Sequence, residues 1–165
     1  MTGFEFNCES CGQRHIGVPA LAFEAPIYWN EVEALGRPET HVLSSDLCVI
    51  ADEHHFIRCS LDMPIRDVPA VLSWSIWMSQ SNSNFETYRD TLGDTPEQVT
   101  FGYLANRLPE YPDTLNLRAQ VRWRARGERP IVELEPVEHP LFADWTAGLT
   151  RDRAIAFAQL VLHPT

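Results

Sequence analysis

Alternation of apolar and polar side chains is clearest in "LRAQVRWR", residues 117–124. Leu117, Ala119, Val121 and Trp123 fall on one side, and Arg118, Gln120, Arg122 and Arg124 on the other. That period of two marks a half-buried strand. A turn near Gly127 leads to "PIVELE", where Val132 and Leu134 face a core and Glu133 and Glu135 face outward. The outer face thus carries both arginines and glutamates. Cross-strand ion pairing is the expected use of Arg118, Arg122, Arg124, Arg126 and Arg129, ahead of an anion site.

Upstream, "HVLSSDLCVIA" and "HHFIRCSLDM" are β-rich runs joined near Asp52 and Glu53, which predicts an antiparallel hairpin. "VLSWSIWMS", residues 71–79, predicts a third strand. Trp74 and Trp77 are an odd number apart, so a regular strand points them to opposite faces. "VTFGYLANRL" reads as a strand weakened by Gly102. Helical signals lie between these runs. Pro26 opens a stripe of Ile27, Val32 and Leu35 that Gly36 and Pro38 stop. Ser83 and Glu86 form a capping-box pattern before Phe85, Tyr88 and Leu92, with Gly93 as the C-terminal cap. Pro140 and Gly148 bracket a short helix, and Thr150 caps a last one with Asp152 in its first turn. The order predicts an α+β fold: an antiparallel sheet of five or six strands with helices on one face. With 165 residues, one domain is expected, a segment over 1–20 leading into an α+β body over 21–165.

Composition narrows the partners. The net charge of −10 disfavours nucleic acid and anionic membranes and suits a basic protein partner. All 13 basic residues are arginine, so no lysine is present for a Schiff base or a phosphate-binding loop. No apolar run is long enough for a membrane span. "MTGFEFNCES" has neither a basic region nor an apolar stretch of a secretory signal. The expected compartment is the cytoplasm, where four cysteines read as thiols or ligands before disulfides.

Candidate chemistry centres on "FNCESCGQRH", residues 6–15. Cys8 and Cys11 have the spacing that brings two thiolates to one tetrahedral ion. Gly12 suits the tight turn that aims backbone amides at sulfur, and His15 offers a third ligand. A redox pair would open a helix, and the sequel "GVPAL" does not; free structural thiols are the blander alternative. For a fourth ligand, Cys48 and Cys59 sit in apolar runs where a buried thiol is ordinary packing. His54 and His55 sit at a turn, and His139 precedes Pro140 in a helix-capping position. His41 and His163 have no spacing that marks them. No G-x-S-x-G, H-E-x-x-H or glycine-rich phosphate loop occurs.

The stretches "CESCGQRH", "DLCVI", "HFIRC", "WSIWMSQSNSNF", "FGYLANRLPEYPDT" and "RPIVELEPVEHPL" together resemble the bacterial family called domain of unknown function 2199. The resemblance implies a single-domain protein and brings no activity with it. It implies that Cys8, Cys11, His15 and Cys48 fall on family positions, while Cys59 stands where glycine is usual. His139, in a family-like "HPL" segment, becomes a reserve ligand. The expectation is therefore a structural zinc knuckle held by Cys8, Cys11, His15 and Cys48. The expected role is a non-catalytic acidic interaction protein, immunity-like by analogy, with a small metal-dependent hydrolase as the alternative.

Overall fold

A computed structural model describes residues 3–19, 21–35, 41–91, 97–125 and 127–163. A separate antiparallel hairpin of β1 (Glu5–Asn7) and β2 (Arg14–Ile16) comes first. β3 (Leu21–Ala22), α1 (Trp29–Leu35), β4 (Val42–Leu43) and β5 (Leu47–Ile50) follow. The two long strands are β6 (His54–Pro64) and β7 (Val71–Gln80). Then come α2 (Asn82–Thr91), β8 (Val99–Tyr103), β9 (Arg118–Arg122) and β10 (Ile131–Leu134). The chain closes with α3 (Pro140–Ala147) and α4 (Arg151–Leu162).

The predicted hairpin of β5 and β6 is present, with Cys48 opposite Phe56. The sheet is larger than predicted: among the described residues it has eight strands in the order β3-β7-β6-β10-β9-β8, with β5 on β6 and β4 on β5. It is mixed, because β10 runs parallel to β6 and β3 parallel to β7. One edge of β6 serves two neighbours. Its first half pairs with β5, and beyond Arg58 the amide of Ser60 donates to the carbonyl of Pro130 at 2.8 Å. The sheet also curls until Leu104 bridges Met78 on β7. That approach requires Gly102, where a Cβ would lie 2.3 Å from the carbonyl oxygen of Ser79.

The helices do not share one face, which corrects the prediction. Ile57, Cys59, Leu61, Trp74, Ile76 and Met78 point to the main core, where Phe85 of α2, Leu141 of α3 and Phe157 of α4 meet them. Phe56 and Trp77 point the other way and pack with Cys48, Ile50 and Val32 of α1. Trp74 and Trp77 thus take opposite faces as the odd spacing requires, and both are buried. With apolar side chains needing cover on both sides, one helical layer is not enough.

Two of the predicted helix caps are present and one is displaced. Thr150 caps α4, accepting from the amide of Arg153 at 3.3 Å, and His139 caps α3. Ser81, not Ser83, caps α2 by accepting from the amide of Asn84 at 3.1 Å. α1 begins at Trp29, three residues after Pro26. Arg122 pairs with Glu133 at 2.6 Å and Arg118 with Glu135 at 3.3 Å, the expected cross-strand pairing. Arg129 reaches Asp46 at 2.8 Å and Arg124 the carbonyl of Arg129 at 2.6 Å. Gly36, Pro38, Leu92, Gly93 and Arg126 lie outside the described residues.

Candidate metal centre

The first hairpin is held by its apolar side. Phe4, Phe6 and Cys8 are buried in the main core, while Arg14 pairs with Glu5 on the exposed side. Between β1 and β2 the chain makes a tight turn. The amide of Cys8 donates to the carbonyl of Gln13, and that of Gly12 to the carbonyl of Cys8, both at 2.8 Å. Gly12 has φ +73°, a conformation glycine adopts without a Cβ penalty. This turn wraps the Cys8 sulfur. Burial pushes its thiol pKa up, but hydrogen bonds from the backbone and side chains of Cys11 and Ser10 outweigh that and hold it below the ordinary value. Amides aimed at a sulfur favour the thiolate, the form that binds metal.

His15 stands opposite Phe6 in the hairpin register and packs on its ring at 5.5 Å. Its Nε2 lies 3.3 Å from the Sγ of Cys11. The fourth member comes from the far end of the chain. His163 is the C-cap of α4, its amide donating to the carbonyl of Gln159 at 2.9 Å. Its ring lies 5.9 Å from that of His15. One ligand atom from each of Cys8, Cys11, His15 and His163 lies within 4.8 Å of the other three. Two sulfurs and two imidazole nitrogens on a tetrahedral ion stand roughly 3.3–3.8 Å apart, so a small inward movement completes the shell. The Nε2 of His163 is buried and has no hydrogen-bond partner. A buried nitrogen left unsatisfied costs about 1–3 kcal/mol, and a metal at this position removes that cost. The end of α4 adds to the effect, since a helix C-terminus favours positive charge. At the other end of α4, Arg151 donates to the carbonyl of Glu5, a second tie between helix and hairpin.

Cys8, Cys11 and His15 therefore come together, and Cys48 does not join them. Cys48 is fully buried in β5 among Val32, Phe56 and Trp77, in the other apolar cluster. Burial alone pushes its thiol up to about 12. This corrects the expected ligand set: within β5, Cys48 turns to the second apolar cluster, while the hairpin is seated in the main core. The reserve ligand His139 is also committed elsewhere. Its Nδ1 accepts from the amide of Leu141 at 3.0 Å, and its Nε2 donates to the carbonyl of Asp113 at 3.0 Å. Cys59 is fully buried in the main core, where burial again raises its pKa. Sequence reasoning missed His163, which follows the apolar last turn of α4; helix polarity was the one available signal.

Fold and site define the class: a mixed α+β protein with a Cys2His2 group, joining its first hairpin to its last helix, that can hold a metal ion. Residues 7–149 match the family model described as an uncharacterized protein conserved in bacteria (DUF2199), and the chain belongs to that family. Three of the four candidate ligands fall inside the matched residues and His163 falls beyond them. Comparison with curated proteins and with solved structures gives no match. Among the described residues no helix is long and apolar enough to cross a membrane.

Proposed function

We propose that Cys8, Cys11, His15 and His163 bind one zinc ion as a closed structural centre, and that the domain is a non-catalytic acidic interaction protein for a basic partner. The carrying observation for the zinc is the convergence of four ligand atoms; the buried, unpartnered Nε2 on the ring of His163 supports it. Two thiolates and two imidazoles in a tetrahedral arrangement are a donor set that selects zinc. Four side chains fill the coordination sphere, leaving no position for the water a hydrolase activates. The centre then fastens the hairpin to α4. Support for a basic partner is the net charge of −10, which steers oppositely charged proteins to the surface.

Metal analysis of protein purified without a polyhistidine tag tests the zinc reading. About one zinc per chain is expected, and less than about 0.2 would overturn it. Pull-down at low salt tests the partner reading, with a specific basic protein as the expected catch and no specific catch as the contrary result.

A further inference from the structure

The cleft on the sheet face opposite the main core has the make-up of a recognition site. It encloses about 690 Å³ between α1, the β5–β6 turn and the end of β8, within the size range of ligand sites. Its floor is apolar: Val32, Ile50, Phe56 and Leu104. Two tyrosines flank it while remaining open to solvent, Tyr28 at 38% and Tyr103 at 40% exposure. Tyr28 leans on Phe56 with ring centroids 5.8 Å apart, which continues the aromatic wall into the floor.

Among the described residues, Glu31 is the acidic side chain that lines the cleft and no arginine lines it; His41 and His54 line it as well. Asp52 and Glu53 extend the acidic rim along the adjoining turn. His41 stands at the rim, where its Nδ1 accepts the amide of Ala51 at 2.9 Å. That bond also holds the rim in a costly shape. Ala51 at φ 56° and Asp52 at φ 51° form a two-residue turn of positive φ without glycine. Asn116 at φ 66° lines the cleft from the far side. Strained residues persist where surrounding structure holds them, and they cluster at binding sites.

We infer that the cleft receives an arginine side chain presented by a basic protein partner. A guanidinium stacks on tyrosine faces and pairs with a carboxylate, and its methylene stem covers apolar floor. The inference rests on the basic-partner reading above and locates where that partner is gripped.

The test is an NMR titration of the zinc-loaded full chain with a capped Gly-Arg-Gly-Arg-Gly peptide and with its citrulline counterpart, which keeps the shape and loses the charge. Shifts confined to the amides around Tyr28, Glu31 and Tyr103 are expected. Binding should weaken at least about fivefold with citrulline, and similarly in Glu31→Gln and Tyr103→Ala proteins. Unchanged spectra elsewhere in the two variants establish that they remain folded. Equal binding of the citrulline peptide, or shifts spread over other acidic faces and indifferent to both variants, overturns the cleft. Failure of the peptide to bind while pull-down still recovers a basic protein also overturns the cleft and leaves the partner reading standing. Failure of both removes both.

Discussion

Cys8 and Cys48 are equally hidden, at 2% and 0% exposure, yet their surroundings make opposite chemistry of them. Cys8 lies in a turn whose hydrogen bonds converge on its sulfur, and two histidines and a second cysteine stand around it. Cys48 lies mid-strand, paired in the ladder and packed in an apolar cluster with Val32, Phe56 and Trp77. Burial therefore does not identify a ligand. The backbone does: a tight turn turns amides inward toward a sulfur, whereas a strand turns them sideways to its neighbours.

The sharpest way to break this contrast is His163→Ala. Zinc affinity should fall by at least about a hundredfold, measured by competition with a chromophoric chelator. Unaltered affinity would remove His163 from the centre. Cys48→Ala should do the reverse. It should cost about 1–2 kcal/mol in denaturant unfolding through the small cavity it leaves, with zinc content unchanged. Loss of zinc in that variant would restore Cys48 as a ligand.

Alkaline titration sharpens the comparison further. The Cys48 thiol ionises near pH 8.5 in the unfolded chain but only at about 12 when folded. A raised folded pKa gives stability that is complete below the unfolded value and is lost as pH rises. Between the two values the unfolded state carries the charge and the folded state does not, so unfolding becomes easier by roughly 1.4 kcal/mol per pH unit from this group. The stability gap between wild type and Cys48→Ala should narrow from pH 8 to pH 10. A constant gap would mean that the thiol reaches solvent. The smallest effect is expected from His139→Ala, about 1 kcal/mol from a lost helix cap. Zinc content should be unaltered there, and a fall would make His139 a ligand after all.

How legible all this was depended on range. Wherever a strand buries one face, the alternation is local, and β9 and β10 were readable from it; β6 and β7, buried on both faces, were readable as β-rich runs. The Cys8–Gly12 turn was readable for the same reason: its chemistry lies within five residues. The parallel pairing of β10 with β6 was not, because Ile131 meets Ser60 across a separation that no local pattern encodes. His163 was hidden in a similar way. Its neighbours in sequence are helical, and its partner Cys8 lies at the other end of the chain. The cap of α2 shows a smaller failure, since Ser81 and Ser83 both fit the composition and only the path of β7 into the helix separates them.

The clasp has a mechanical meaning. A metal joining Cys8 to His163 closes a loop of roughly 150 residues, and by the loop-entropy argument a link of that span restricts the unfolded chain more than any short one could. Such an ion would also set the route of force: tension applied beyond Cys8 and His163 would be taken up by the coordination bonds before it reached the sheet.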